Sequence, residues 1–231
     1  MELVVVLVGP KYPGNLGAAA RALKTMGFAT LRLVNPCEFR IDPARAQAYQ
    51  MAMYSHDILD NAGIFSTLAE AVADCDLKIA TTAKLRHHRH SVLTPIQLKN
   101  VLLDKQEMLR RVALVFGPED TGLTNEHLDT CELLTTVPLA AVQPSINLAQ
   151  AVMIYTYTLS ELPALTRHAR AAKETSYMAA TEEIGRVARQ LGIATDERVV
   201  AWLRERLPLL PARDLQMLFN LLKAPHGQEN Q

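Results

Sequence analysis

The sequence has few cysteines and no excess of charge of either sign. Its three cysteines are far apart among 231 residues, so neither a disulfide framework nor a zinc site is indicated, and we expect no metal. Lysine and arginine total 24, as do aspartate and glutamate. No positive field over the whole molecule therefore indicates a nucleic-acid partner, and any such binding must come from local patches.

Long hydrophobic runs and targeting signals are also missing. The N-terminus MELVVVLVGP is apolar but too short to span a bilayer, and it lacks a basic leader and a small-residue cleavage site. It is typical of a first strand. We therefore expect a soluble, cytoplasmic protein with reduced cysteines and no membrane partner.

The common phosphate-binding loops are absent from the turn after this strand, LVGPKYPGNLGAAARALKTMG, residues 7–27. Asn15 and Leu16 stand where a P-loop needs Lys followed by Ser or Thr. Gly14 and Gly17 do not complete the three-glycine dinucleotide fingerprint. Another role for this turn must be considered.

What the sequence does contain is an alternation of strand-like and helical segments. Runs rich in Val, Leu and Ile, typical of strands buried on both faces of a parallel sheet, occupy residues 3–8, 31–34, 77–82, 112–116 and 133–137. Helical patterns occupy residues 17–26, 43–53, 67–73, 95–105 and 147–162. This order predicts an open α/β fold with a parallel sheet.

The pattern changes after residue 162, where strand-like runs stop. We predict a boundary near Pro163, with an α/β domain over residues 1–162 and a helical extension over 163–231. Two extension helices are predicted to begin at the N-caps Thr181 and Thr195, and a third spans residues 212–223. Their apolar stripes are expected to be buried: Ile184, Val187, Leu191, Val199, Trp202, Leu203, Leu215, Leu218 and Leu222.

Ligands of open α/β sheets bind beyond the carboxyl ends of the strands, so the loops there are candidate sites. In the first loop, Gly14 or Asn15 could cap the following helix, and small side chains allow close packing. Arg21, expected about one turn into that helix, is a cation near the positive end of the helix dipole, which favours an anion beside it. The loop is either a plain strand-to-helix turn or a binding site for a substrate phosphate.

The second candidate loop follows Thr81, Thr82 and Ala83, whose small side chains leave backbone groups open to a ligand. It is strongly cationic and is either a solvated loop or a contact for RNA phosphates. Its candidate RNA-binding residues are Lys84, Arg86 and Arg89.

Two further loops carry polar groups at the same edge. Gly117 lets a ligand approach the backbone, and Glu119 places an acid there, unless it only caps or pairs with a basic neighbour. Ser145 is a natural N-cap for the long helix that follows. Asn147 adds a second polar side chain that could bind a substrate hydroxyl.

Together these loops carry a family resemblance. GNLGAAARALKTMG, LVFGPEDTGLTNE and VPLAAVQPSINLAQAV, in this order, closely resemble the three motifs of the SpoU branch of the SPOUT RNA methyltransferases. The KTMG continuation, the TTAK strand end and the helical tail look like the TrmJ subgroup, which methylates tRNA ribose in the anticodon loop. The resemblance covers nearly the first 162 residues, and the tail more loosely. It departs at Pro118 and Asp120, where relatives have basic residues, and at Pro144, often a serine.

The resemblance implies an α/β SPOUT domain with a trefoil knot in its C-terminal half. The strand order alone would have predicted an unknotted sheet, because knots are rare. It also implies S-adenosylmethionine as cofactor, tRNA or another RNA as substrate, and a homodimer. The implied reaction is 2′-O-methylation of ribose at position 32 of the tRNA anticodon loop, with rRNA or another tRNA position as the alternative.

Residue roles are carried over from the family by position. The implied cofactor pocket comprises Thr81, Thr82, Ala83, Gly117, Val137, Pro144, Ser145 and Ile146. The implied catalytic and substrate-positioning residues are Asn15, Arg21, Glu119, Ser145 and Asn147. Arg21 would hold a substrate phosphate, and Glu119 would hold Arg21 or Asn15. Further candidates for RNA contact in the tail are Arg204, Arg206, Arg213 and Lys223.

Two alternatives of other classes stay open. A nucleotide-dependent oxidoreductase is faintly suggested by Glu38, which follows the glycine turn at about the dinucleotide-fold distance. A non-catalytic RNA-binding member of the same family is the other alternative. The presence of Arg21, Ser145 and Asn147 argues against it.

Overall fold

The centre of the molecule is one sheet of seven strands. A computed structural model of the protein describes residues 1–83, 92–140, 146–162 and 176–223. The strands are β1 (Glu2–Val8), β2 (Thr30–Val34), β3 (Gly63–Phe65), β4 (Leu77–Thr81), β5 (Val92–Leu93), β6 (Arg111–Phe116) and β7 (Leu133–Thr135). They are ordered β3-β2-β1-β6-β4-β7-β5, and each neighbouring pair is parallel.

Helices cover both faces of this sheet and form the tail. In the first 162 residues they are α1 (Pro13–Thr25), α2 (Ala44–Ala52), α3 (His56–Asp60), α4 (Leu68–Ala71), α5 (Pro95–Asp104), α6 (Asn125–Asp129) and α7 (Leu148–Thr158). The tail contains α8 (Tyr177–Gln190), α9 (Glu197–Arg206) and α10 (Ala212–Lys223). The predicted parallel α/β fold is thus confirmed, with short elements added at β3, β5, α3 and α6.

The unalternating apolar run of β1 arises because both faces of the strand are covered. Leu3, Val5 and Leu7 belong to one apolar cluster, and Val4 and Val6 belong to the cluster on the other face. All five are at most 4% exposed. The central position of β1 in the sheet therefore explains why residues 3–8 are apolar at every position rather than at alternate ones.

The first helix begins earlier than the sequence indicated. Tyr12 is the N-cap residue and makes no side-chain capping bond, while Pro13 occupies the first turn, where a proline is well tolerated. The expectation that Gly14 or Asn15 caps the helix is therefore wrong. Arg21 is the ninth of its 13 residues, so it lies more than two turns in, and its expected place near the positive end of the dipole is also wrong.

Close packing of α1 against α2 depends on Gly17. A Cβ atom at this position would lie 1.9 Å from the carbonyl oxygen of Ala48. The predicted close approach of small residues is thus confirmed, and it joins α1 to α2. Gly14 is different, because its Cβ would meet only side-chain atoms of Met51 at 3.6 Å and Gln47 at 3.9 Å, which are ordinary contacts.

The tail helices begin at other residues than the predicted caps. Ser176 caps α8 by accepting from the Ala179 N–H, whereas the Thr181 hydroxyl donates to the Tyr177 carbonyl inside the helix. Asp196 caps α9. The Thr181 and Thr195 predictions are therefore wrong, because a better placed side chain satisfies the first free N–H groups in each case. The third helix is confirmed over residues 212–223.

The tail docks on the end of α5 through polar contacts. Lys105, only 1% exposed, donates from Nζ to the Leu210 carbonyl at 2.5 Å, and its burial lowers the pKa of the ammonium. The Asp104 carboxylate accepts from the Ala212 N–H at 2.7 Å. The predicted boundary at Pro163 lies outside the described residues, so the division into two domains stays a prediction.

Not all predicted apolar stripes of the tail are buried. Leu215 is fully buried and Ile184 packs against the main core. Leu191, Trp202 and Leu218 are 68%, 58% and 37% exposed, so their predicted burial is wrong. No residue of α9 is fully buried, because the main core already packs against α8 and α10.

The cysteines lie mainly in the interior. Cys75 and Cys131 are buried, Cys37 is half-buried, and none of the three forms a disulfide. Burial raises the pKa of the Cys75 thiol to about 12. Within the four described ranges, no group of three His, Cys, Asp or Glu residues is placed to hold a metal ion. No helix in those ranges is long and apolar enough to cross a membrane.

Gly17→Ala tests the contact between α1 and α2. The added methyl group collides with backbone, so we expect a loss of about 2–3 kcal/mol in the free energy of unfolding despite the better helix propensity of alanine. Urea denaturation measures this loss. Gly14→Ala is the matched control and should leave stability within about 1 kcal/mol of wild type; equal stability of the two variants would contradict the packing argument.

Candidate active site

A cavity of about 520 Å³ opens at the carboxyl ends of β4, β6 and β7, with α7 on one side. We call it the edge cavity. Parallel strands bring their following loops to the same edge, which explains its position. Its lining comprises residues 116–123 and 136–139 together with Thr81, Thr82, Ala83, Leu128, Ile146, Leu148, Ala151 and Tyr155.

The end of β4 contributes its small residues as expected. Thr81 donates from its hydroxyl to the Val115 carbonyl at 2.9 Å, and the Thr82 N–H donates to the Thr135 carbonyl at 2.9 Å. These bonds tie the strand end to both neighbouring strands and leave Ala83 exposed beside the cavity. The RNA-binding candidates that follow, Lys84, Arg86 and Arg89, lie outside the described residues.

The loop after β6 folds tightly on itself. A Cβ atom at Gly117 would lie 2.3 Å from the backbone nitrogen of Leu123, so only glycine fits there. The Gly122 N–H donates to the Pro118 carbonyl at 2.9 Å, and Gly122 has a φ of +67°. This folding brings bare backbone to the wall of the edge cavity.

A hydrogen-bonded chain links this loop to two others. The Glu119 carboxylate accepts from the side-chain amide of Asn15 at 2.8 Å and from the Lys11 N–H at 3.0 Å. The Asn147 amide donates to Asn15 Oδ1 at 3.0 Å. Three of the predicted catalytic residues are thus in direct contact, and of the two partners expected for Glu119 it is Asn15 that binds it.

Asn147 is also the N-cap of α7. Its Oδ1 accepts from the Ala149 and Gln150 N–H groups, and the Asn147 N–H donates to Gln150 Oε1. The expectation that Ser145 caps this helix is therefore wrong, because the helix begins two residues later. Ser145 and Pro144 lie outside the described residues, whereas Ile146 lines the edge cavity.

The α7 side of the cavity is mainly apolar. Tyr155 is 1% exposed, its hydroxyl donates to Thr135 Oγ1 at 3.0 Å, and burial raises the pKa of the phenol. Its ring meets Phe116 edge-on, with centroids 5.7 Å apart. These aromatic side chains form a packed wall of the cavity, and the Tyr155 hydroxyl already has a hydrogen-bond partner in Thr135.

Arg21 is not part of this assembly. It is exposed, it does not line the edge cavity, and no hydrogen-bond or ion-pair partner contacts it in the described part of the chain. The glycines of its loop serve packing instead, since Gly17 faces the backbone of α2. The glycine turn thus resembles a nucleotide loop only in sequence, which removes the main support for an oxidoreductase.

Lys11 is a member of the site that sequence reasoning missed. Its Nζ lies 2.5 Å from Asp120 Oδ2, and this hydrogen bond raises the pKa of Lys11 and lowers the pKa of Asp120. The two residues are 109 positions apart, so no local pattern connects them. The acidic departure at Asp120 is therefore matched by a basic residue on the neighbouring loop.

Comparisons with known proteins identify the family. A model of the SpoU rRNA methylase family matches residues 2–157, and a model of the C-terminal domain of the tRNA/rRNA methyltransferase LasT matches residues 181–225. The uncharacterized tRNA/rRNA methyltransferase LasT of Escherichia coli K12 is 43% identical over 96% of each chain. The tRNA (cytidine-2′-O-)-methyltransferase TrmJ of Methanocaldococcus jannaschii is 37% identical over 67% of this chain and 66% of its own.

A solved structure extends the similarity to the fold of the whole chain. The crystal structure of TrmJ from Z. mobilis ZM4 superposes with a TM-score of 0.65 at 28% identity, covering 96% of this chain and 98% of that one. The family match spans the strands and loops that build the edge cavity. The chain therefore belongs to the SpoU methylase family, and it is an RNA methyltransferase that uses S-adenosylmethionine.

Proposed function

We propose that the protein methylates the ribose 2′-hydroxyl of tRNA at position 32 of the anticodon loop, a cytidine or uridine. The observation that carries this proposal is that two family motifs line one cavity, and Asn15 of the third motif contacts Glu119 and Asn147 of the other two. TrmJ relatives named as tRNA (cytidine/uridine-2′-O-)-methyltransferases support the substrate. Because the tail matches a LasT domain, rRNA or another tRNA position is the alternative.

We assign the edge cavity to S-adenosylmethionine, which supplies a methyl group already activated for transfer. The fit rests on the cavity volume of about 520 Å³, which is typical of a small-molecule site. It rests also on the backbone exposed at Gly117, where only glycine fits because a Cβ atom would collide with the loop. The proposed contacts are Thr81, Thr82, Ala83, Gly117, Val137 and Ile146, which line the cavity. Pro144 and Ser145 are proposed by the resemblance alone.

The proposed mechanism uses positioning by this chain's own residues. Arginine keeps its charge in proteins, so Arg21 would bind a substrate phosphate and polarise the ribose rather than act as a base, and the hydroxyl proton would leave through phosphate or water. Asn147 and Ser145 would orient the ribose. Glu119 would hold Asn15 in place, which the 2.8 Å contact supports.

The quaternary and topological proposals follow from the family. We propose a homodimer in which Arg21 serves the cavity of the partner subunit. The position of Arg21 outside the lining of its own cavity supports this, and light scattering tests the dimer.

We also propose a trefoil knot in the C-terminal half of the α/β domain, supported by the insertion of β7 between β4 and β5. A crystal structure tracing residues 84–91 and 141–145 tests it. A cytoplasmic location fits a tRNA substrate, and fractionation tests it.

Tritiated methyl transfer tests the function itself. Purified protein with labelled cofactor should methylate bulk tRNA, and mapping of 2′-O-methyl positions should place the product at position 32. Product in rRNA or elsewhere in tRNA would select the alternative substrate. A failure to label either RNA pool, with intact cofactor binding, would instead favour a non-catalytic RNA-binding protein.

Arg21→Ala should lower kcat by about a hundredfold or more while leaving the affinity for S-adenosylmethionine unchanged. The physical reason is the loss of the cation that would hold and polarise the substrate. Steady-state kinetics and calorimetric titration measure the two quantities. Arg110→Gln, an exposed arginine before β6 at the opposite edge of the sheet, is the control. Wild-type turnover in Arg21→Ala would remove Arg21 from the mechanism.

Glu119→Gln should lower kcat about ten- to a hundredfold, since a glutamine cannot accept hydrogen bonds at both of its terminal atoms from Lys11 and Asn15. Circular dichroism should show an unchanged fold. Glu126→Gln, an exposed acid in the first turn of α6, provides the comparison and should keep full activity. Equal kcat values for the two variants would exclude Glu119 as a positioning residue.

A further inference from the structure

Trp202 is exposed on a helix that buries none of its residues. It is the only tryptophan of the chain, it is 58% exposed, and it lies in the second turn of α9. In the part of the chain that the structure describes, its ring has no aromatic or cationic neighbour. A large ring in this position is free to contact a partner, and tryptophan is among the residues most often found at the centre of binding sites.

Two arginines flank Trp202 along one face of the helix. Arg198 and Arg206 stand four residues before and after it, so the three side chains form a row about 12 Å long. The Arg198 side chain is 95% exposed and has only a 3.7 Å contact with Asp196. Arg206 is exposed and has no ion pair within the described residues. We call this row the α9 strip.

The acidic residues of α9 do not neutralise the positive charge of the α9 strip. Glu197 lies five residues before Trp202 and so faces a different side of the helix. Glu205 is at the margin of the strip, and it already has an interaction partner. The row Arg198, Trp202 and Arg206 therefore presents an aromatic face between two cations.

Helix α9 is tied to a segment that lines the edge cavity. Arg204 Nη1 donates to the Asp129 carbonyl at 3.3 Å, which ties α9 to the last residue of α6. The preceding residue, Leu128, lines the edge cavity. The α9 strip lies on the face of α9 turned away from this contact, since Arg204 is two residues, or about 200° of helix rotation, from Trp202.

We propose that the α9 strip binds unpaired nucleotides of the RNA substrate, with a base stacked on Trp202 and phosphates held by Arg198 and Arg206. Stacking on an aromatic ring needs a base whose face is open, and this condition is met in loops and single strands but not in a duplex. The arginines match the charge of the backbone. The inference rests on the proposed RNA substrate and deepens it, because it selects a loop rather than a stem.

The intrinsic fluorescence of the full-length protein tests the stacking directly, because Trp202 is its only tryptophan. Titration with single-stranded oligouridine should quench the emission, and an RNA duplex of equal length should quench it much less. Unchanged emission at concentrations that saturate binding, or equal quenching by both RNAs, overturns the proposal.

Variants distinguish the contribution of the Trp202 ring to RNA binding from that of the two arginine charges. Trp202→Ala should raise the Kd for the oligouridine at least about fivefold, and Trp202→Phe should restore most of the affinity. Arg198→Gln and Arg206→Gln should each lower the salt dependence of binding by about one ion. Leu221→Ala, which removes an apolar side chain 66% exposed on α10, and Arg110→Gln are the controls. Wild-type affinity in Trp202→Ala overturns the proposal.

Methyl transfer, followed in parallel, distinguishes this inference from the proposed function. Trp202→Ala should raise KM for tRNA with kcat unchanged, since the strip contributes binding alone. If oligouridine quenches the emission but the wild type transfers no methyl group, the assignment of the α9 strip to RNA binding stands and the proposed function is wrong. Dissociation of a dimer in Trp202→Ala, seen by light scattering, would make the strip a contact between copies and overturn its assignment to RNA.

Discussion

The carboxylate of Glu119 is where two segments distant in sequence meet at the edge of the sheet. An ionised carboxylate only accepts hydrogen bonds, and here it accepts one from a backbone N–H and one from the Asn15 amide. Asn15 is thereby oriented with its oxygen towards Asn147, which in turn caps α7. Each group therefore determines the orientation of the next, and the start of α7 is linked to the loops after β1 and β6.

This chain of contacts requires a backbone that can come very close to itself. Gly117 permits the loop after β6 to fold back against Leu123, and Gly17 permits α1 to lie directly on the backbone of α2. Gly117 shapes the cavity wall, and Gly17 sets the position of the helix that carries Asn15. Neither position offers space for a Cβ atom.

The main elements could be predicted because their causes are local. Central strands such as β1 are apolar throughout since both faces are buried, and Thr94 with Pro95 marks the start of α5 through a capping box. β3 and β5 could not be predicted, because three and two residues carry no pattern and exist as strands only through pairing with neighbours. The predicted caps at Thr181 and Thr195 were wrong because Ser176 and Asp196, which are stronger N-cap residues than threonine, cap these helices instead.

The sequence by itself determined the order of the main strands and helices along the chain and the motifs that identify the family, since these depend on residue type and spacing. It also placed Thr81, Gly117 and Ile146 at one edge of the sheet, where the edge cavity lies. Only the tertiary structure decided that Glu119 binds Asn15, that Lys11 pairs with Asp120, and that Trp202 stays exposed. These outcomes depend on which distant segments come into contact, and spacing along the chain carries no information about such contacts.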